Sequence, residues 1–196
     1  MKTVTVYLEG AEKKNKKLVN DCRRGFSELF GMRHVVFVPC GGRKQAFDDF
    51  EVAYKNPDGT WPVLLVDSED EVVDASKIEH LTKRDGWKFP EGVTERQVQL
   101  MTTCMESWLI YERNGLRTFY GSCLQESGLP SKFEMETRHR HTLFDILRHV
   151  TRDCVRDKVY GKGMAFQILA LVEGATLREL KYFEMAYTAI KGHTKI

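Results

Sequence analysis

The sequence lacks any apolar run long enough to cross a bilayer. The longest runs, residues 63–66 and 168–172, fall far short of the roughly 20 apolar residues that a membrane-spanning helix needs, so we expect no membrane span. The N-terminus, MKTVTVYLEG, has neither a long apolar stretch nor a small-residue cleavage site, which argues against a secretory signal. We therefore predict a cytoplasmic protein.

The sequence also lacks the cysteine spacings that mark zinc sites and disulfide scaffolds. The five cysteines are Cys22, Cys40, Cys104, Cys123 and Cys154. Their number is odd and no two form a CxxC pair, so we predict reduced thiols, several of them in the core. His139 and His141 have no third ligand nearby in the sequence, so we expect no zinc. The phosphate-loop pattern GxxxxGK[ST] is absent as well, so we expect no nucleotide cofactor.

Strong net charge is missing too. The chain has 30 Lys and Arg against 28 Asp and Glu, a net charge of +2, which by itself points to no partner. The distribution is uneven, because residues 138–162 are rich in Arg, Lys and His whereas residues 67–74 are acidic. We find no internal repeat and no low-complexity segment.

What is present is an alternation of strand and helix patterns. Short β-branched or apolar runs at residues 3–8, 34–39 and 62–66 predict strands, and residues 12–30 and 43–54 predict the helices between them. Residues 98–101 predict a fourth strand. This order is typical of an α/β domain with a mainly parallel sheet.

The second half of the chain predicts helices. We expect a helix over residues 106–120 that is interrupted at Asn114-Gly115, and a short one over residues 76–83. Further helices are predicted over residues 142–155, 164–172 and 176–190, the last capped by Thr176. We therefore predict a core over residues 1–125 and a helical region over residues 126–196, packed together as a single domain.

Acidic residues follow three of the predicted strands. Glu9 follows the first, Asp67, Glu69 and Asp70 follow the third, and Glu106 follows the fourth. Each alone also fits an ordinary strand end, turn or helix start. Together they would converge, because ligands of parallel sheets bind at the carboxyl ends of the strands. Two carboxylates 4 Å apart repel by about 4 kcal/mol at an effective dielectric near 20, so we expect Mg²⁺ or Mn²⁺ to bind there.

Two basic segments could bind phosphate. Gly41, Gly42, Arg43 and Lys44 follow the second strand and open a helix, where backbone N–H groups can bind an anion. Arg148, Arg152 and Arg156 recur every four residues and would share one helix face. A glycine turn and a solvated helix face explain the same residues without a ligand. Lys162 could stabilise developing negative charge.

Five stretches of the sequence are similar to the domain of unknown function (DUF) 4276 family of small Toprim-like proteins. They are VYLEG (6–10), PCGGRKQAFDDF (39–50), LLVDSED (64–70), HLTKRDGW (80–87) and LMTTCMESWLIYE (100–112). YGKGMAFQIL (160–169) resembles the late basic motif of the family. The paired LEG and DSE elements also resemble the Toprim arrangement of topoisomerases, primases and OLD-type nucleases.

The resemblance implies a Toprim-like fold and metal-dependent cleavage of DNA or RNA. Glu9 would be the general base or a metal ligand, and Asp67, Glu69 and Glu106 would be metal ligands. The usual DxD is Asp67-Ser68-Glu69 here, with Asp70 adjacent, and either Glu69 or Asp70 could bind the metal. Family members are often encoded beside an ABC-type ATPase in antiphage or mobile-element loci, so such an ATPase is the expected partner.

Two other functions remain open from the sequence. The chain could be a non-catalytic Toprim scaffold that docks on or regulates the ATPase. It could also be another phosphoryl-transfer enzyme that uses the same ions on a small nucleotide. A homo-oligomer is compatible with each of them.

Overall fold

A single parallel sheet lies at the centre of the part of the chain that the computed structural model describes, residues 3–155 and 158–194. Its strands are β1 (Val4–Leu8), β2 (Val35–Pro39), β3 (Trp61–Asp67) and β4 (Val98–Met101). Their order is β2-β1-β3-β4, and every neighbouring pair is parallel. The α/β class with a parallel sheet, predicted from the sequence, is therefore confirmed. Because β1 and β3 are neighbours, their carboxyl ends lie side by side.

Helices cover the sheet and continue beyond it. In chain order they are α1 (Lys16–Phe30), α2 (Arg43–Lys55), α3 (Lys77–Asp85), α4 (Glu106–Tyr111), α5 (Arg113–Tyr120), α6 (Arg140–Val150), α7 (Lys162–Leu169), α8 (Gly174–Leu177) and α9 (Lys181–Thr194). Throughout residues 3–155 and 158–194, no helix has both the length and the apolar character that a membrane span requires.

The central strand β3 is buried on both faces. Val63 and Leu65 contribute to a core shared with α1, whereas Leu64 and Val66 contribute to a second core shared with α2 and α3. This division follows from the two-residue repeat of a strand, which sends successive side chains to opposite faces. All four side chains are fully buried, and each stabilises the fold by about 1.5–3 kcal/mol relative to an exposed position.

The C-terminal helices join the first of these cores. Phe166 of α7 lies near Phe26 of α1, with ring centroids 6.3 Å apart, and Phe183 of α9 meets the Trp108 ring edge-on at 5.0 Å. Helix α7 approaches α1 closely at Gly25, where a Cβ atom would lie 2.7 Å from the carbonyl oxygen of Phe166. The predicted division of the chain at residues 125 and 126 stays a prediction.

Some predicted helix ends were wrong. The expected break at Asn114-Gly115 falls instead at Glu112, whose carboxylate accepts hydrogen bonds from both of those backbone N–H groups at 3.1 Å and so caps α5. Thr176 does not cap a long helix, because it lies inside the four-residue α8. Helix α1 begins at Lys16, after the cap residue Asn15.

The cysteines also depart from prediction. Cys123 and Cys154 form a disulfide with their Cα atoms 5.1 Å apart, while Cys22, Cys40 and Cys104 are free and buried. Nothing in the sequence indicated this pair, because the two cysteines are 31 positions apart. The chain returns on itself there, and the Gln125 N–H donates a hydrogen bond to the Val150 carbonyl at 2.8 Å. Disulfides are rare in the cytosol, so a cytoplasmic location stays a prediction.

Candidate metal centre

Three carboxylates meet at the carboxyl edge of the sheet. Glu9 follows β1, Asp67 ends β3, and Glu69 lies two residues beyond it. One carboxylate oxygen from each residue lies within 4.8 Å of the other two. The cluster could therefore hold a metal ion, and we call it the acidic cluster.

Backbone hydrogen bonds between the strand ends position Glu9 and Asp67. The Glu9 N–H donates to the Leu65 carbonyl at 3.2 Å, which continues the β1–β3 ladder past the last strand residue. The Asp67 N–H donates to Glu9 Oε2 at 3.3 Å, and Asp67 Oδ1 accepts from the Met105 N–H at 2.9 Å. Both carboxylates are thus held by the main chain of the neighbouring segment.

Glu69 reaches the cluster through an unusual backbone turn. Its φ is 70°, in the left-handed region that residues other than glycine rarely adopt and that costs of order 1–3 kcal/mol. The turn is held to the segment after β4, because the Glu69 N–H donates to the Thr103 carbonyl at 2.7 Å and the Ser68 N–H donates to the Met101 carbonyl at 2.9 Å.

Three arginines contact the acidic cluster. Arg43 lies 3.4 Å from Glu9, forms a two-pronged ion pair with Asp85 at 2.7 and 3.2 Å, and donates to the Asp67 carbonyl. Arg84 lies 3.2 Å from Glu69, and Arg140 also pairs with Glu69. The arginines offset part of the negative charge, but each approaches the cluster from its edge.

The pKa values of both Asp67 and Glu9 are raised by burial of the two carboxylates. Burial raises the pKa of Asp67 well above its usual range, and the Glu9 and Glu106 carboxylates raise it further, against the lowering effects of the Met105 N–H and Arg43. Burial also raises the pKa of Glu9, although Arg43 and Lys162 lower it. A cation would favour the ionised form of both groups.

The donor set of the acidic cluster fits a hard divalent cation. Within residues 3–155 and 158–194, no hydrogen bond or ion pair involves Glu9 Oε1, Asp67 Oδ2 or Glu69 Oε1. Each carboxylate therefore keeps one oxygen for a ligand while its other oxygen is held in place. Carboxylate oxygens are the ligands that such ions prefer.

Glu106 lies beside the cluster without being one of its three members. It begins α4, and its Oε1 accepts a hydrogen bond from the Tyr160 hydroxyl at 3.1 Å. Burial and the Glu106 carboxylate raise the pKa of Tyr160 well above its usual range, so this hydroxyl stays a donor. Burial and the carboxylates of Glu106 and Asp67 also raise the pKa of Cys104, which keeps that thiol protonated.

Two clefts open on the acidic cluster and share Glu9, Asp67, Glu106 and Lys162 in their walls. The first, of about 430 Å³, continues along apolar side chains that include Leu18 and Phe166, and we call it the apolar cleft. The second, of about 350 Å³, continues towards Arg140 and His141, and we call it the basic cleft. Lys162, the first residue of α7, is exposed and has no hydrogen bond or ion pair with any residue that the structure describes.

The structure separates Asp70 from the acidic cluster. The Asp70 carboxylate is 59% exposed and pairs with Arg84 at 2.8 Å. Of the two alternatives that the sequence left open, Glu69 is the one that joins Glu9 and Asp67.

The predicted phosphate-binding residues are scattered. Gly41 and Gly42 line the apolar cleft, but the Arg43 side chain is largely buried among Glu9 and Asp85, and Lys44 is exposed and pairs with Asp48. A phosphate-binding role for these residues stays a prediction.

The prediction that Arg148, Arg152 and Arg156 share one helix face was wrong for Arg152. Helix α6 ends at Val150, and the next residue, Thr151, has left the helical conformation with φ −111° and ψ 5°. Arg152 therefore lies beyond the helix, in contact with His149. Arg148 is exposed on α6 and lines neither cleft. Arg156 lies outside the described residues.

Sequence reasoning missed two contributors to the site, Arg84 and Tyr160, which contact acidic carboxylates. Residues 138–141 belong to the segment that the sequence marks as basic, and the structure pairs Arg140 with Glu69 and places His141 in the wall of the basic cleft. The run RHRH at residues 138–141 was a usable signal of positive charge, but nothing in its spacing indicated contact with Glu69. Tyr160 reads as an ordinary core aromatic, since only the fold shows that its hydroxyl meets Glu106.

Comparison of the chain with protein-family models, with curated proteins and with solved structures gave no match. The relationship to the DUF4276 family therefore stays a prediction, and any function must be argued from the acidic cluster and its clefts.

Proposed function

We propose that this chain is a metal-dependent nuclease that hydrolyses phosphodiester bonds in DNA or RNA with Mg²⁺ or Mn²⁺. The observation that carries the proposal is the convergence of Glu9, Asp67 and Glu69, each with one carboxylate oxygen that has no partner among the described residues. Hard cations that keep part of their water shell suit such a site and a phosphate substrate.

Glu9, Asp67 and Glu69 would hold the metal, with Glu106 at the margin of the site. When bound, the metal would act as a Lewis acid on a phosphoryl oxygen and lower the pKa of a coordinated water. Met105 and Arg43 keep Asp67 and Glu9 oriented, so little reorganisation is needed when the substrate arrives.

The reaction is the addition of water across one P–O bond. The water oxygen bonds to phosphorus while the bond to the leaving sugar oxygen breaks. Because Glu9 Oε1 would be a ligand of the metal, the attacking water gives its proton to solvent, and the leaving oxygen takes a proton from solvent. The Lys162 ammonium stabilises negative charge on the phosphoryl oxygens.

The basic cleft supports a nucleic-acid substrate over a smaller phosphate ester. Arg140 and His141 line it together with the shared carboxylates and Lys162, so a phosphate next to the scissile one has a guanidinium group and an imidazole ring beside it. Such contacts fix the position of a strand without reading its sequence. The ABC-type ATPase partner remains a prediction from the resemblance.

Calorimetric titration of Mg²⁺ and Mn²⁺ tests the proposal. Asp67→Asn should abolish binding while keeping the fold, because an amide oxygen can still accept the Met105 N–H. Asp70→Asn is the matched control, since it removes a neighbouring carboxylate outside the cluster and should leave binding unchanged. Cleavage of single-stranded and duplex DNA and RNA is measured in parallel, and it should depend on the metal and on Asp67. The nuclease proposal fails if the wild type binds no metal with or without nucleic acid, or if Asp67→Asn retains cleavage.

A further inference from the structure

The apolar cleft is more than an extension of the metal centre. It shares Glu9, Asp67, Glu106 and Lys162 with the basic cleft, but its remaining wall includes Ala11, Leu18, Met105 and Phe166. Glu12 and Asn15 also line this cleft. A ligand with a charged group at one end and an apolar group at the other would match the cleft.

The apolar wall of the cleft is assembled from several elements of the fold. Its apolar residues come from the end of β4, from α1 and α7, and from the segments that precede α1 and α4. Ala11, Met101 and Ala165 are each only 1% exposed, and Phe166 is 7% exposed and packs on Phe26. A preformed concave surface of this kind, with a few charged groups at one end, is typical of ligand-binding sites.

A nucleotide has the matching chemistry. Its phosphate would lie at the acidic cluster, with the metal and Lys162, and its flat base would lie against the apolar wall. Asn15 stands at the mouth of this cleft. Its Oδ1 accepts from the Leu18 N–H at 3.0 Å, and its Nδ2 has no partner in the described part of the chain, so it is available to donate to a base.

A base inside a duplex cannot occupy such a cleft. Stacked and paired bases lie inside the double helix, and enzymes that need a base in a pocket must either extrude it or act on single strands. The basic cleft on the other side of the acidic cluster gives the neighbouring phosphate a place beside Arg140 and His141. One nucleic-acid strand could therefore run from the apolar cleft past the acidic cluster into the basic cleft.

We propose that the apolar cleft binds the base of an unpaired nucleotide, so that the substrate is single-stranded nucleic acid. This inference rests on the proposed nuclease function. Stacking of one base on an aromatic side chain, here Phe166, is worth about 1–3 kcal/mol, which corresponds to a preference of roughly 5- to 150-fold for the single strand over the duplex.

Fluorescence anisotropy with a labelled oligodeoxynucleotide, its blunt duplex and the matching oligoribonucleotide tests this inference. Binding is measured with Ca²⁺, and again with EDTA. We expect the single strands to bind at least fivefold more tightly than the duplex in Ca²⁺. Equal affinity for single strand and duplex would overturn the inference. So would a nucleoside monophosphate that competes as well as the oligonucleotide, because the substrate would then be a small nucleotide.

A matched pair of variants locates the preference. Leu18 is half-buried in the apolar cleft, and Leu171 is exposed elsewhere on the surface. Leu18→Ser should weaken binding of the single strand at least threefold and leave duplex binding unchanged, whereas Leu171→Ser should change neither. Thermal unfolding confirms that both variants are folded. If Leu18→Ser affects neither substrate, or both equally, the base does not lie in this cleft.

These outcomes are separable from failure of the nuclease proposal. Metal binding that is lost in Asp67→Asn, together with equal cleavage of single strand and duplex, supports the nuclease and overturns the single-strand inference. Absence of metal binding and of cleavage on every substrate overturns both.

Discussion

The backbone N–H of Asp67 donates a hydrogen bond to Oε2 of Glu9 across 58 residues of sequence. The two carboxylates are therefore not independent, because the strand that carries one of them holds the other in place. Glu9→Gln should keep this hydrogen bond through its amide oxygen and remove only the charge, so a loss of metal affinity in that variant reports on ligation rather than on misfolding.

We expect Arg43 to stabilise the folded protein, although a charged residue on the surface usually contributes little to stability. Its side chain is only 14% exposed and pairs with Glu9 and with Asp85, which is 12% exposed. Arg43→Met leaves Glu9 without an ion pair and Asp85 with Arg84 alone, and we expect the free energy of unfolding to fall by about 1–3 kcal/mol. Denaturant unfolding measures the change. Lys44→Met removes the exposed pair with Asp48 and a distant contact of the ammonium group with the Phe47 ring, and it should cost under about 0.5 kcal/mol. Equal effects would show that Arg43 is effectively a surface residue.

Tyr160 positions Glu106. Tyr160→Phe removes the donor to Glu106 Oε1 and leaves a buried carboxylate oxygen without it, so we expect a loss of about 1–3 kcal/mol in unfolding free energy. The control is Tyr120→Phe, since among the residues described the Tyr120 hydroxyl hydrogen-bonds only to the Met164 sulfur, at 3.7 Å, which is a weak acceptor. A Tyr160→Phe protein as stable as the wild type would contradict this role.

Lys77 makes the free energy of unfolding change with pH in the alkaline range. Its side chain is buried, its Nζ donates to Gln99 at 3.0 Å, and burial lowers its pKa from 10.5 to about 8 against the effect of Glu95. Since the unfolded chain holds the Lys77 proton more tightly, Lys77 contributes a rise of about 3 kcal/mol in the free energy of unfolding between pH 8 and 10.5. The buried thiols Cys22, Cys40 and Cys104, whose pKa values are raised, lower stability over the same range, so the Lys77 contribution is read as the difference between the wild type and Lys77→Met. Urea unfolding across this range checks the rise, which Lys77→Met should lack. Parallel curves for the two proteins would refute the assignment to Lys77.

The disulfide predicts a thiol count and a stability change. Two of the five cysteines are paired, so denatured, unreduced protein should show three reactive thiols and the reduced protein five. Replacing Cys123 and Cys154 by Ser opens a loop of 31 residues, which costs roughly 3–4 kcal/mol in a chain-entropy estimate. Five thiols without reductant would show that the pair is open in solution.

Gly25 sets the distance between α1 and α7. In Gly25→Ala the new methyl group would lie 2.7 Å from the Phe166 carbonyl, so α7 must shift, at a cost of about 1–3 kcal/mol. Gly163→Ala is the control on α7 itself. A Cβ there meets nothing within 4 Å, and we expect it to stabilise the protein by about 0.4–1 kcal/mol. Thermal unfolding distinguishes the two, and a neutral Gly25→Ala would show that the helices can separate freely.

Local patterns predicted the sheet and the cluster on it. A pattern of a few residues was enough to predict β3 with Asp67 at its end and β1 with Glu9 after it. Contacts between distant segments produce no local pattern in the sequence. The pairing of Arg140 with Glu69, the Tyr160–Glu106 hydrogen bond and the Cys123–Cys154 disulfide depend on how the C-terminal helices pack, which periodicity does not encode. The choice of Glu69 over Asp70 depends on one left-handed residue, which no spacing rule would indicate.

The packing of α7 on α1 has a consequence during protein synthesis. Glu9, Asp67 and Glu69 are translated before Lys162 and Phe166. A nascent chain that has not yet reached α7 would have its carboxylates but neither the ammonium group nor this wall of the apolar cleft. The cleft is therefore complete only after translation has passed α7.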